Sequence, residues 1–224
     1  MNTNETQKEQ FNRYYDLLID WNEHINLTAI TDKDAVWLKH FKDSVSISNI
    51  IDMNKVDSVI DVGTGAGFPG IPLKIMYPHI NLTLLDSLDK RVKFLNTVID
   101  ELELNNVYAI HGRAEDIAQD NSYRERFDLC VSRAVASLPV LTELCVPFVK
   151  VGGCFVSYKS EKAKEEIIEA GKAISILGAS LSDVKEFNLS DDDNLRVLIK
   201  LNKINSTPKN YPRRAGIPGK KPIK

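Results

Sequence analysis

The chain has 224 residues, of which 43% are hydrophobic and 27% charged, enough to bury the core of about one main domain. No apolar run approaches the roughly 18 residues that a membrane span needs, and the N-terminus, MNTNETQKEQ, lacks the basic start and apolar stretch of a signal peptide. We therefore expect a cytoplasmic protein with no membrane partner; the net charge of −2, taken alone, argues against nucleic acid.

The first 57 residues are expected to form an N-terminal helical extension. Between residues 5 and 21, large apolar side chains recur at helical spacing, namely Phe11, Tyr14, Tyr15, Leu18 and Trp21. A second helical stretch follows Thr31, with Asp34 three residues on in a capping-box-like start. In the segment WNEHINLTAI, which joins the two helices, we interpret Asn22 and Asn26 as turn formers.

Residues 58–204 are expected to form an α/β domain. Five short apolar runs are each followed by a helical stretch, notably 88–104 and 160–177; the runs are SVIDVG, NLTLLD, NVYAIHG, FDLCVSRA and GGCFVSYKS. Apolar strands alternating with helices indicate a parallel, doubly wound sheet. The segments ASLSDVKEFNL and NLRVLIKLN are separated only by a polar SDDD turn, so they should pair as an antiparallel hairpin. This gives a Rossmann-like, mostly parallel seven-stranded sheet.

A glycine-rich turn follows the first predicted strand. Gly65, Gly67 and Gly70 satisfy the G-x-G-x-x-G pattern that lets a pyrophosphate sit on a helix N-terminus, and we expect Gly65 and Gly67 to contact the cofactor. Asp86, 21 residues past Gly65 at the end of the next strand, suits the acid that binds a ribose. A tight turn without a ligand is the alternative interpretation.

Asp61 distinguishes between possible ligands of this turn. It lies two residues before Gly63, where a carboxylate repels a pyrophosphate and attracts an ammonium group. A ligand with a cationic head and a ribose, such as S-adenosylmethionine, therefore fits better than a dinucleotide. At the end of the third strand, Glu115 and the Ala114 backbone lie where an adenine would bind, although Glu115 could instead be a first-turn acid that compensates a helix dipole.

Two other features along the domain bear on chemistry. Arg133 closes the fourth strand, at the edge where ligands bind in such sheets, and could hold a methionine carboxylate, a substrate phosphate or only solvent. The three cysteines, Cys130, Cys145 and Cys154, lack metal-ligand spacing and lie in apolar segments, so we expect buried free thiols and no metal site.

The C-terminal residues 205–224 are expected to form a basic, proline-rich strap. Residues 203–224 carry seven lysines and arginines and no acid, so the near-neutral total charge conceals a local basic segment. Arg213, Arg214, Lys220 and Lys221 could bind the phosphates of RNA while Tyr211 stacks on a base. A solvated tail without a partner is the alternative.

Together these stretches resemble the RsmG (GidB) family of bacterial methyltransferases. The resemblance is carried by DVGTGAGFPGIPL, LLDS, GRAE, SRAVAS, YKS and the ending YPRRAGIPGKKPI, with WNEHINLTAI and HFKDS in the N-terminal region. It implies a class I S-adenosylmethionine-dependent methyltransferase fold with an N-terminal helical extension. By position in the family motifs, the cofactor would contact Gly63, Phe68, Ala114, Glu115 and Arg133.

The resemblance also implies a substrate, N7 of a guanine in the 530 loop of the decoding centre of 16S ribosomal RNA, either free or in an assembling subunit. N7 carries an in-plane lone pair and no hydrogen, so no catalytic base is expected, and positioning should supply the rate. A small-molecule methyltransferase, a nicotinamide-dependent dehydrogenase and a nucleotide-binding module without catalysis are the alternatives. Oligomeric state is not predicted.

Overall fold

The computed structural model describes residues 3–190 and 195–224. Within these residues, seven strands form one sheet in the order β3-β2-β1-β4-β5-β7-β6. The strands are β1 (Ser58–Val62), β2 (Asn81–Asp86), β3 (Val107–His111), β4 (Phe127–Arg133), β5 (Val149–Lys159), β6 (Ala179–Asn188) and β7 (Leu195–Lys203). Strands β1 to β5 run parallel, and β7 is antiparallel to both β5 and β6. The predicted sheet and hairpin are confirmed; most of the SDDD turn lies outside the described residues.

Helices connect the strands and precede the sheet. They are α1 (Glu5–Ile25), α2 (Lys33–Val36), α3 (Asp43–Val45), α4 (Gly70–Met76), α5 (Asp89–Glu101), α6 (Ala114–Ile117), α7 (Leu138–Cys145), α8 (Ala163–Ile176) and α9 (Ile217–Lys220). A π-helical turn, Trp37–Lys42, joins α2 to α3, and 3-10 turns occupy Ser46–Asn49, Met53–Lys55 and Val146–Phe148. No described helix is long and apolar enough to cross a membrane.

The N-terminal helices begin and end at local capping groups. A capping box between Asn4 and Gln7 starts α1, and Asn26 ends it in the left-handed conformation that asparagine tolerates. Asn22 lies inside the helix and its side-chain oxygen accepts the backbone N–H groups of Leu27 and Thr28, so both asparagines shape the joining loop. The predicted start of the second helix is one residue early, because the capping oxygen belongs to Asp32 and not to Thr31.

Two hydrophobic layers cover the two faces of the sheet. On one face, the buried side of α1 packs with α4 and α5; Phe11, Tyr14 and Leu18 are among its fully buried members. The helical extension and the sheet therefore share a core. The other layer contains residues of α7 and α8, together with Ile223 near the C-terminus. Cys130, Cys145 and Cys154 are buried free thiols, as predicted.

The strand order decides where a ligand can bind. Chain order reverses between β1 and β4, which lie side by side in the centre of the sheet. At such a switch point, the connections from neighbouring strands leave in opposite directions and open a crevice at the carboxyl ends of the strands. The glycine-rich turn after β1 and Arg133 at the end of β4 both lie at this edge.

Candidate cofactor and substrate site

The glycine-rich turn presents backbone to an open cleft. It is anchored to β2 because the N–H groups of Gly63 and Thr64 donate to the Leu85 carbonyl at 2.8 and 3.2 Å. Gly65 has φ +62°, and a β-carbon built there would meet no atom within 4 Å. A β-carbon at Gly67 would lie 2.7 Å from both Ile71 Cγ1 and the Tyr14 hydroxyl. Gly65 therefore faces the cleft, whereas Gly67 faces the protein interior.

Asp61 holds the glycine-rich turn in place through hydrogen bonds. Its side chain is fully buried, and Oδ2 accepts the Thr64 hydroxyl at 2.7 Å and the Gly70 N–H at 2.8 Å. The other oxygen, Oδ1, is buried with no donor among the described residues. Burial raises the pKa of Asp61 to about 7. The structure thus gives Asp61 a role within the loop, since its side chain is buried behind the turn and is not among the residues that line the cleft.

Asp86 lies between the glycine turn and the start of α5. One carboxylate oxygen accepts the Gly65 N–H at 2.9 Å, and the other accepts the Leu88 N–H at 3.0 Å. Arg91 forms a longer ion pair at 3.4 Å. Asp86 lines two adjoining cavities of the cleft, so the carboxylate both tethers Gly65 and contributes to the cleft wall.

The first cavity, of about 210 Å³, lies between the turn after β3 and the C-terminal strap. Ala114 and Glu115 line it on one side, and Gly216 and Gly219 line it on the other. Glu115 accepts the Gly216 N–H at 2.8 Å. Although burial alone would raise the pKa of Glu115, this N–H and the nearby Arg113 lower it, so the carboxylate is ionised at neutral pH.

The second cavity, of about 380 Å³, extends from Asp86 to Arg133. It shares Gly63, Asp86, Ser87 and Val135 with the first cavity, so the two form one continuous cleft. Leu27 and Thr28, from the loop after α1, complete its wall. The helical extension therefore supplies part of the cleft.

Aromatic and cationic groups meet at the far end of this second cavity. The Phe68 and His40 rings stack with their centroids 4.6 Å apart. The Arg133 guanidinium lies 5.0 Å from the centroid of the Phe68 ring. Arg133 also pairs with Asp43 at 2.7 Å. Burial, and then the charge of Arg133, lower the pKa of His40 to about 4, so this imidazole is neutral at pH 7.

A groove of about 680 Å³ opens beyond Arg133. It shares His40, Arg133 and Ala134 with the second cavity. Five basic side chains line the groove, against the three acids Asp43, Glu161 and Glu166; the basic residues are Lys39, Arg133, Lys159, Lys162 and Arg196. Lys159 is paired with Glu166 at 2.8 Å. Asp43, at its floor, is paired with both Arg133 and Arg196. The groove offers positive charge directly beside the cleft.

The structure divides the predicted RNA-binding residues of the strap. Arg213 is held by Glu143, with its side-chain nitrogens 2.6 to 3.2 Å from the carboxylate oxygens, and Tyr211 packs against the second core layer. These contacts turn both side chains toward the domain. Arg214, Lys220 and Lys221 are exposed and stay available for phosphates.

Three contributors to the site were not identified from the sequence: Thr28, His40 and Asp43. Thr28 and His40 are joined by a 2.8 Å hydrogen bond, and His40 and Asp43 are three residues apart on one helical face. That spacing, within HFKDS, was the available signal, but nothing in the sequence shows that this face meets the end of β4.

The polar groups of the cleft are those that the sequence analysis expects around S-adenosylmethionine. An open backbone at Gly65, an acid at the end of β2 and an acid after β3 lie in that order along connected cavities, which together reach the size of a typical ligand pocket. No group of three or more metal-binding side chains occurs within 3–190 and 195–224.

Comparisons with known proteins bear on the same chemistry. Residues 7–195 match the family model GidB, described as rRNA small subunit methyltransferase G. The "Ribosomal RNA small subunit methyltransferase G" of Lachnoclostridium phytofermentans is 52% identical over 223 residues, covering 100% of this chain and 92% of its own. The protein of that name from Staphylococcus aureus strain Newman is 51% identical, covering 98% and 91%.

Solved structures with low sequence identity share the fold. M. jannaschii TYW2 in complex with AdoMet aligns with a TM-score of 0.56 at 19% identity, covering 74% of this chain and 76% of that one. The M. jannaschii fibrillarin pre-rRNA processing protein aligns with a TM-score of 0.55 at 15% identity, covering 70% of each chain.

Proposed function

Because this chain belongs to the GidB family of small-subunit rRNA methyltransferases, we propose that it methylates N7 of a guanine in the 530 loop of 16S ribosomal RNA. The observation that supports small-subunit rRNA methylation is the family match over residues 7–195, together with relatives about 50% identical along almost the entire chain. The guanine N7 atom and the 530 loop are what the resemblance of the sequence motifs implies. The methyl donor is S-adenosylmethionine. No comparable family match supports the alternative functions, which are a nicotinamide-dependent dehydrogenase, a small-molecule methyltransferase and an inert nucleotide-binding module.

The cofactor would lie along the two connected cavities. Asp86 would accept the ribose hydroxyls, and the Ala114 backbone and Glu115 would contact the adenine. Gly63 and Gly65 would leave room for the methionine portion, beside Phe68 and Arg133, while Gly67 allows the loop to pack closely behind them. S-adenosylmethionine supplies an electrophilic methyl group, which this arrangement would direct toward His40 and Arg133.

The junction between cleft and groove suits a nucleophile that has no proton to lose. His40, Arg133 and Ala134 line both spaces. None of the three is a carboxylate, and His40, whose pKa burial lowers to about 4, is a weak base. The His40 ring nitrogens lie within hydrogen-bond distance of Thr28 and the Lys39 carbonyl, which fixes the ring in place. Guanine N7 needs alignment with the methyl carbon and exclusion of water, and no general base.

The basic groove would receive the RNA. Lys39, Lys162 and Arg196 line it, and cationic side chains bind the phosphate backbone while the base enters the cleft. Arg214, Lys220 and Lys221 would add contacts from the strap. The substrate is the rRNA itself or an assembling small subunit, which places the reaction in the cytoplasm.

Methyl transfer to defined RNA tests this function. The full-length protein would be incubated with isotopically labelled S-adenosylmethionine and either naked 16S rRNA or small subunits from cells lacking the enzyme. Digestion to nucleosides and mass spectrometry should find the label in N7-methylguanosine. Label in another methylated nucleoside would overturn the N7 assignment, and no transfer to either RNA form would overturn the proposed substrate.

A further inference from the structure

The strap, residues 205–224, is attached to the domain at several separate points. At its start, Thr207 donates its N–H to Glu125 at 2.7 Å, and the same carboxylate pairs with buried Lys203 at 3.1 Å. Further along, Arg124 donates to the carbonyls of Thr207 and Tyr211 at 2.9 and 2.8 Å. These bonds hold an irregular segment along the surface of the domain.

A further attachment is the ion pair between Arg213 and Glu143. Glu143 is fully buried on α7 and receives both the backbone N–H and the guanidinium of Arg213. The guanidinium also donates to the Lys221 carbonyl at 2.8 Å, which folds the strap back on itself. Since an unpaired buried carboxylate is costly, Glu143 strongly favours the docked position.

Docking brings the strap to the cofactor cleft. Gly216 and Gly219 form one wall of the 210 Å³ cavity, opposite Ala114. The Gly216 N–H occupies one oxygen of Glu115. The matched family model ends at residue 195, so this wall comes from a segment outside the region that the model describes.

We propose that the docked strap is the adenosine-side wall of the S-adenosylmethionine site, and that cofactor affinity depends on its docking through Arg213. Gly216 orients the Glu115 carboxylate, and Gly216 and Gly219 cover the face of the adenine. The strap is thus a positioning element for the cofactor, with exposed lysines that remain available to RNA. This inference rests on the proposed placement of adenine beside Ala114 and Glu115.

Binding measurements on the full-length protein without RNA test the proposal. Arg213→Ala should raise the Kd of S-adenosylmethionine about tenfold or more, measured by calorimetry. It should raise the Kd of 5′-methylthioadenosine by a similar factor, because that probe keeps the adenosine and lacks the methionine carboxylate. Lys209→Ala removes a positive charge from the same strap at an exposed position and should change neither Kd more than about twofold.

Gly219→Val guards against misfolding of the Arg213 variant. It retains the Arg213–Glu143 pair, and a β-carbon at Gly219 would meet no protein atom within 4 Å, so a side chain added to this wall of the cavity should weaken both ligands while the strap stays docked. In the wild type, saturation with either ligand should slow tryptic cleavage within the strap, by up to about 100-fold at 100 times the Kd, because only the docked state would bind. Folded variants with unchanged Kd values, or cleavage insensitive to ligand, would overturn the proposal.

Asp86→Ala distinguishes failure of this proposal from failure of the cofactor placement. We expect it to weaken S-adenosylmethionine binding by roughly 10- to 150-fold, the range for a hydrogen bond to a charged group. If Asp86→Ala weakens both ligands and the strap variants weaken neither, the wall assignment alone is wrong. If Asp86→Ala has no effect, the placement of the ribose is wrong, and with it the basis of the proposal.

Discussion

Gly65 and Gly67 both have positive φ angles, yet the structure gives them different neighbours. A side chain at Gly65 would enter the cleft, whereas one at Gly67 would meet Ile71 and Tyr14. The sequence pattern treats the two as equivalent members of one motif. Only the packing behind the loop separates a glycine that makes room for a ligand from one that makes room for the protein.

Gly65→Ala should therefore separate binding from folding. We expect a folded protein, destabilised by about 1–2 kcal/mol for an alanine in the left-handed region, with S-adenosylmethionine affinity reduced at least tenfold. Gly67→Ala should instead lower the melting temperature more, because its β-carbon meets packed atoms. Thermal unfolding and calorimetric binding on both variants check this; equal cofactor affinity in Gly65→Ala and wild type would refute the assignment.

His40 provides a prediction about pH. Its folded-state pKa is about 4, whereas an unfolded histidine titrates near 6.5. As pH falls through this interval the unfolded chain binds a proton that the folded protein does not, so this residue's contribution to stability is present above about pH 6.5 and is lost toward pH 4.

The test compares wild type with His40→Gln, which can still hydrogen-bond to Thr28. Urea unfolding between pH 6.5 and 4.5 should show a smaller loss of stability in the variant, and the NMR signals of His40 in the wild type should not titrate near pH 6.5. A His40 titration midpoint near 6.5 would show that the imidazole is not desolvated as the structure implies.

At the scale of elements, the sequence predicted the sheet well and its contacts with the N-terminal region poorly. Strand runs such as NLTLLD are recognisable because both faces of a parallel strand are buried, and the helices because their apolar residues repeat. Contacts between segments that lie far apart in the sequence have no such pattern. The contact between Asp43 and Arg133, 90 residues apart, could not be predicted from either segment alone.

Asp43 should be the main electrostatic link between the helical extension and the sheet. It is 5% exposed and pairs with Arg133 at 2.7 Å and Arg196 at 3.2 Å. Asp43→Ala should lower the free energy of unfolding by about 3–5 kcal/mol, since it leaves two partly buried guanidinium groups without this carboxylate. Denaturant unfolding measures the loss, with Asp34→Ala, an exposed acid on α2, as the matched control.

If Asp43→Ala lowered the free energy of unfolding by less than about 1 kcal/mol, the value of a surface ion pair, this role would be contradicted. The same substitution should also reduce methyl transfer, because Arg133 and His40 at the junction depend on the position of this segment. Retention of full methylation with reduced stability would confine Asp43 to a structural role.

At the scale of the whole molecule, the distribution of charge matters more than the total. The sequence counts seven cations after residue 202, but Lys203, Arg213 and Lys224 are paired with Glu125, Glu143 and Glu169. Charge counting could not reveal this, because the three acids lie in other parts of the chain. Fewer strap cations are therefore available to RNA than the sequence suggests.

Replacing Arg214, Lys220 and Lys221 with alanine should weaken RNA binding while leaving the Arg213 attachment in place. The logarithm of the RNA association constant falls linearly with the logarithm of the salt concentration. Each lost phosphate contact should make that slope shallower by roughly 0.7 for single-stranded RNA. The measurement is RNA affinity over a range of salt concentrations, with S-adenosylmethionine affinity as the control. An unchanged slope would leave the strap without a direct part in binding RNA.

We propose that this chain places one methyl group on N7 of a guanine in the small-subunit rRNA. The most direct measurement is sequencing-based mapping of N7-methylguanosine in 16S rRNA from cells with the gene, cells without it, and deleted cells that express either wild type or Gly65→Ala. We predict one modified guanine, in the 530 loop, that disappears on deletion, returns with the wild type and stays reduced with the variant. An N7-methylguanosine map unchanged by the deletion would contradict the account.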